Sequence, residues 1–328
     1  MSSVDLRPLS LGELLDRTFT LYRSHFWLFV GIMAVPHVIN VALNLVLQGI
    51  VGPIFALPPG FDPQKAGVDP AAMAGKFFLG FLVIGVVAWV LYSLALGATT
   101  IALADVYFSR PATIRGTYRK VRRRLGGLMH VLFSVMVRFI GLVLLLSLGS
   151  AILFAVPAGI FGRSNPILMG VMGLVMFVVF FAGFALAIWF ILRYGVAIPA
   201  LLLENLKARE ALKRSVWLTK GQRGRLFLTL VLMLLITYIA ILILQGPFWV
   251  AAALVAGKSG HIPAWLGSLS AVSAGLGGAL SGPLLMIGFS LLYYDVRVRK
   301  EAFDLQMMMA ALEPGGPPPE TPPAVAGA

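Results

Sequence analysis

A chain of 328 residues that is 59% hydrophobic and only 12% charged cannot clothe a water-facing surface, for which soluble domains use about a quarter charged residues. Its net charge of +13 sits in short segments beside apolar runs, a pattern that points to anionic headgroups and membrane topology and not to nucleic acid. The lack of cysteine excludes disulfides, thiolate metal sites and cysteine nucleophiles.

The chain opens with Asp5, Glu13 and Asp16 before any apolar run, so a cleavable signal peptide is not expected. Ser10 followed by Glu13 is a capping box, in which each side chain satisfies a free backbone donor at a helix start. Leu11, Leu14, Leu15, Phe19, Tyr22 and Phe26 then recur at helical spacing, with Glu13, Asp16, Arg17, Thr20 and Arg23 opposite. An amphipathic helix over 11–24, lying in the headgroup plane, is expected.

A helix crossing about 30 Å of hydrocarbon needs about 20 largely apolar residues. Six stretches qualify: 26–51, 77–101, 139–160, 167–192, 226–256 and 265–294. With their flanking turns the third and fourth run to about 128–160 and 167–199. They are too long for strands of a soluble core and do not alternate as barrel strands would. Segment 57–76, rich in Pro and Gly, is expected as an outward loop.

Basic segments separate the spans. Between the second and third, Ile114, Tyr118, Val121 and Leu125 form a stripe opposed by Arg115, Arg119, Lys120, Arg122, Arg123 and Arg124. Between the fourth and fifth, Ala208, Ala211, Leu212 and Trp217 are set among Lys207, Arg209, Lys213 and Arg214. Interfacial helices are expected over about 113–124 and 207–219. With the first, they suggest a threefold repeat of an interfacial helix followed by two spans. After the last span a cytoplasmic helix over 295–312 and a disordered Pro/Gly tail over 313–328 are expected.

Lys and Arg set orientation. One side receives Arg7, Arg17 and Arg23, then 110–124, 207–225, and Arg297, Arg299 and Lys300; the other receives Lys65, Lys76, Arg163 and Lys258. Both termini are therefore expected on the cytoplasmic side. The fold class expected is all-α, a polytopic six-helix transmembrane bundle over 1–312 with three amphipathic interfacial helices on the cytoplasmic side.

Three groups of residues are candidates for function. His37, Asn40, Asn44 and Gln48 fall on one face of the first span. They line a path for a headgroup or ion, or they join helices by hydrogen bonds worth about 0.6–2 kcal/mol each, the reading favoured for a dry bundle. Arg115, Arg119, Lys120, Arg122, Arg123, Arg124, Lys213 and Arg214 are candidate contacts to anionic lipid. Arg138 and Arg193, near the inner ends of spans three and four, either snorkel to headgroups or meet Glu204, Asp105 and Asp295 in an inner-rim ion cluster. Such a cluster would grip a phosphate or lock the bundle.

His25, His37, His130 and His261 lack metal-ligand spacing, and no carboxylate pair suggests catalysis. Neither a cofactor nor a metal is expected. Ala274, Gly278 and Gly282 give small-residue spacing in the sixth span, which favours close helix packing over a phosphate loop.

Two stretches carry a family resemblance. Leu-Ser-Leu-Gly-Glu-Leu-Leu-Asp-Arg-Thr-Phe at 9–19 and Leu-Tyr-Tyr-Asp-Val-Arg-Val-Arg-Lys-Glu-Ala-Phe-Asp-Leu at 292–305 resemble the opening and close of a bacterial family. It is the membrane domain found ahead of the catalytic barrel in some glycerophosphodiester phosphodiesterases, and also found alone. The resemblance implies a multi-helix domain of the bacterial inner membrane. A short tail follows Leu312, against the about 250 residues a hydrolase barrel needs, so no catalytic site is expected. The expected function is non-enzymatic: a scaffold, or a domain that binds anionic phospholipids, a membrane-protein partner or a second copy of itself. The alternative is a transporter or lipid-translocating protein that uses the polar face of the first span.

Overall fold

The computed structural model describes residues 7–55, 69–161, 166–259 and 263–312. They form α1 (Leu11–Ser24), α2 (Phe26–Phe55), α3 (Pro70–Tyr107), α4 (Ile114–Arg122), α5 (Leu125–Phe161), α6 (Pro166–Tyr194), α7 (Ala197–Leu203), α8 (Ala208–Thr219), α9 (Arg223–Ser259), α10 (Ala264–Glu301) and α11 (Phe303–Leu312). No strand occurs among the described residues. Six of these helices, α2, α3, α5, α6, α9 and α10, are long and apolar enough to cross a membrane. In hydrocarbon a helix answers every backbone donor and acceptor within its own segment.

Local chemistry sets the helix starts. At α1, Ser10 Oγ accepts from Glu13 N at 3.2 Å and Ser10 N donates to Glu13 Oε2 at 2.7 Å. These bonds, with the Arg7 guanidinium at 2.6 Å, hold the Glu13 carboxyl down to about 2. Thr113 caps α4 by accepting from Gly116 N at 3.1 Å. Past α8, Gly221 takes a left-handed φ of 82° that lets the chain turn into α9.

Some boundaries differ from those the sequence suggests. Helix α3 begins at Pro70, so 70–76 are its first turns and not loop; a proline costs nothing there because that N–H has no helical partner. Helix α10 continues past Tyr294 to Glu301, and the helix expected over 295–312 is divided at Ala302, whose φ is +50°. The rest of the loop expected over 57–76, the 313–328 tail, Lys65, Arg163 and His261 lie outside the described residues. The chain divides into two compact units, Met1–Leu125 with Thr229–Asp295 and Gly126–Leu228 with Val296–Ala328, and this division does not follow a threefold repeat.

In the first unit α10 is the most enclosed helix. In its most apolar window 72% of residues are buried, against 22% or less in the other five spans. Phe29, Ile32 and Met33 of α2, Ala98, Ala102 and Leu103 of α3, and Ile287, Leu291 and Tyr293 of α10 are buried apolar residues of this unit. Glycines on α10 allow close approach: Gly275 faces Val41 and Gly282 faces Met33, and a methyl at Gly278 would overlap the His37 ring. Tyrosines tie the shorter helices to backbone carbonyls. Tyr118 of α4 donates to Ile32 O and Tyr22 of α1 to Leu280 O, each at 2.7 Å. Burial pushes both phenols up to about 12, so each keeps the donating proton at physiological pH.

Residues 9–19 of the opening motif and 292–295 of the closing motif belong to this unit. Leu9 N donates to Asp295 Oδ1 at 2.8 Å, and the two residues are 3% and 2% exposed. Beside this bond Tyr107 stacks on Tyr294 at 5.4 Å, and Arg17 donates to the Tyr107 hydroxyl at 3.0 Å.

In the second unit, Ser215 of α8 donates to Arg193 O at 3.0 Å, fixing α8 against the end of α6. Arg214 Nε lies 2.8 Å from Glu204 Oε2, and the same guanidinium pairs with Glu301. Arg297 Nε lies 3.0 Å from Glu301 Oε2 and 3.8 Å from Glu204 Oε1. Two cations thus face two carboxylates, and apart from Arg214 these side chains are at most 8% exposed. A neutral, fully paired set is the form in which buried charge is tolerated.

Asp295→Ala should leave the buried Leu9 N–H without its acceptor, a loss of about 1–3 kcal/mol. The expected result is a clear fall in melting temperature in detergent, with Asp16→Ala, an exposed control, unchanged. Equal melting of the two variants would show that the bond contributes nothing.

Candidate functional sites

Two recesses gather polar side chains. The larger lies within the second unit and has a volume of about 530 Å³, in the size range of small-molecule sites. Helix α5 contributes His130, Ser134 and Arg138, at i, i+4 and i+8 and so on one face. The end of α6 supplies Arg193 and Tyr194, and α8 supplies Arg209, Leu212, Lys213 and Val216.

Four permanent or near-permanent cations therefore line one cavity. Arg138 Nη1 donates to Ser134 O at 3.1 Å, and its guanidinium carbon lies 5.9 Å from the Tyr194 ring. Arg193 lies 5.1 Å from the Trp189 ring and 5.9 Å from that of Tyr194. Aromatic faces hold such cations without neutralising them. Arg193 Nε is buried with no hydrogen-bond partner, and none of the four cations has a carboxylate within ion-pair distance among the described residues. The nearest acidic residues in sequence are engaged elsewhere: Glu204 by Arg214 and Arg297, Glu210 by Lys207 N at 3.0 Å. Arg193 is half-buried and Arg138, Arg209 and Lys213 are exposed; like charges gathered in this way repel one another, and an anion relieves that cost.

The smaller recess, about 300 Å³, lies within the first unit and is lined by His37, Asn40, Val41, Asn44, Tyr92, Ala271, Ala274 and Gly275. His37 Nδ1 is 2.7 Å from Met33 O and its ring meets Tyr92 edge-on at 5.0 Å. Asn44 Nδ2 donates within α2 to Asn40 O at 2.9 Å and Asn40 Oδ1 at 2.7 Å. The helix thus satisfies part of its own polar stripe, while the stripe still faces a space large enough for water. Gln48 belongs to α2, but its side chain lies outside the described residues.

Set against the sequence candidates, the larger recess unites Arg138, Arg193 and Lys213 with His130, Ser134, Tyr194 and Arg209, none of these last four a site candidate from sequence. The spacing of His130, Ser134 and Arg138 was a legible signal. Glu204, Asp105 and Asp295 take other partners: Arg214 and Arg297, Lys120 Nζ at 2.6 Å, and Leu9 N. Of the lipid candidates, Lys120 and Arg214 are engaged by these carboxylates, whereas Arg115, Arg119, Arg122, Arg123 and Arg124 are exposed. No group of three or more His, Asp or Glu able to hold a metal occurs among the described residues.

The geometry of the smaller recess predicts access for water-soluble reagents. In this cysteine-free chain, Asn40→Cys and Asn44→Cys should react with a small charged thiol reagent in intact membranes, and Ala95→Cys, at a buried position, should not. Silence at both 40 and 44 would mean that the space is closed and dry.

No curated protein and no solved structure matches the chain. Six apolar helices of spanning length make it a multi-pass membrane protein. Residues 164–306, which include the closing motif at 292–305, match the family model described as the membrane domain of glycerophosphoryl diester phosphodiesterase, and over that stretch the chain is similar to this domain.

Proposed function

We propose that this protein is a non-enzymatic membrane domain that binds anionic phospholipid headgroups in the basic recess between α5, α6 and α8. The observation that carries the reading is the convergence of Arg138, Arg193, Arg209 and Lys213 with no carboxylate partner among the described residues. Charge-assisted bonds from guanidinium to phosphate are among the stronger polar contacts, and Arg193 is one of the residues that line the recess. Under this reading α1, α4 and α8 lie along the cytoplasmic headgroup plane of a bacterial inner membrane, and both termini are cytoplasmic. The exposed arginines of α4 then add a less specific attraction of about 1 kcal/mol each, screened by salt.

A second reading, transport or translocation of a solute or lipid, is favoured by one observation, the recess of about 300 Å³ facing His37, Asn40 and Asn44. It requires a solute, and not only water, to occupy that space.

The headgroup reading is tested by changing Arg138, Arg193, Arg209 and Lys213 together to Gln. Each lost charge-assisted contact is worth about 1.5–3 kcal/mol, so phosphatidylglycerol retained by the purified protein should fall by at least about tenfold. Arg115→Gln with Arg119→Gln, on α4, should change it far less. A folded, membrane-inserted quadruple variant that retains as much phosphatidylglycerol as the wild type would overturn the proposal.

A further inference from the structure

The recess is larger and more charged than one phosphate requires. A single phosphodiester carries one negative charge, which leaves three of the four lining cations without a counter-charge. His130 and Arg138 are eight residues apart on α5, about 12 Å along the axis at 1.5 Å per residue. The cations also fall into two pairs by their anchorage. Arg138 and Arg193 both flank the Tyr194 ring at 5.9 Å, whereas Arg209 and Lys213 stand one turn apart on α8. Because α8 is pinned to the end of α6 through Ser215, Arg209, six residues before Ser215, stands about 9 Å along α8 from that anchor.

From this arrangement we infer that the recess takes a lipid headgroup bearing two phosphates joined by a short polyol bridge, one phosphate to each cation pair. The inference rests on the headgroup reading above and narrows its ligand. Two phosphates leave two positive charges in place of three. The Ser134 hydroxyl and the Tyr194 phenol line the same space and are suited to hydrogen-bonding the bridge. A lipid source fits better than a free diphosphate, because Phe133 and Val137, next in sequence to Ser134 and Arg138, are 52% and 48% exposed and offer an apolar track for acyl chains.

The test uses the full-length protein in phosphatidylcholine nanodiscs doped with tetraoleoyl cardiolipin or with phosphatidylglycerol, compared at equal phosphate. Tethering makes the second phosphate contact intramolecular, so cardiolipin should bind at least about tenfold more tightly. Arg138→Gln and Arg209→Gln, one from each pair, should each abolish most of that preference, whereas Arg115→Gln, on α4 and outside the recess, should leave it unchanged. Equal affinity for the two lipids would overturn the two-phosphate inference and leave the headgroup reading standing; binding of neither would overturn both. Displacement of cardiolipin by millimolar inorganic pyrophosphate would overturn the lipid source and assign the site to a free diphosphate.

Discussion

Charge in a low-dielectric setting must find a partner, and this chain has 26 lysines and arginines for 13 aspartates and glutamates. Where its described carboxylates are engaged decides where positive charge is left over. Glu204 and Glu301 neutralise Arg214 and Arg297 in one buried set. Asp105 takes Lys120, Glu13 takes Arg7 and the start of α1, and Asp295 takes a backbone donor from the opposite end of the chain. The cations of the large recess and the exposed arginines of α4 are among those with no carboxylate partner among the described residues. A permanent surplus of this kind beside apolar helices has a natural counterpart in an anionic headgroup.

Helix α8 shows how one short segment serves both ends of that division. Arg214 turns into the paired set with Glu204 and Glu301, and its neighbour Lys213 turns into the recess. The paired set and the Ser215 bond to Arg193 O hold α8 in place, and α8 in turn holds Arg209 and Lys213 toward the α5 and α6 cations. Fixed neutral pairs thus position free charge. Such preorganisation lets a binding site pay little ordering entropy when its ligand arrives.

The six spans were legible in the sequence because an uncharged run of about 20 residues has few other fates. The capping box at Ser10 and the packing role of the α10 glycines were legible for local reasons, a fixed spacing in each case. The recess was only partly legible. Arg138, Arg193 and Lys213 stood out as isolated charges, but they come from three helices, and nothing local says that α8 folds back on the end of α6. Lys213 and Arg214 read alike in sequence; a rotation of about 100° per residue sends them to different partners. Asp295 finds its donor at Leu9, a pairing across 286 positions that no local pattern encodes. The polar stripe of α2 was legible as a face, yet whether it meets a packed neighbour or a cavity depends on the small residues Ala271, Ala274 and Gly275 across from it.

The central claim is that the recess cations are there for phosphate. It is tested most directly by an experimental structure of the protein in nanodiscs containing cardiolipin and phosphatidylglycerol, at a resolution that shows headgroups. The account predicts phosphate density within hydrogen-bonding distance of the Arg193 and Arg138 guanidinium groups, with a second phosphate toward Arg209 and Lys213. A recess closed by a protein carboxylate, or filled by acyl chain with its cations turned away, would contradict it.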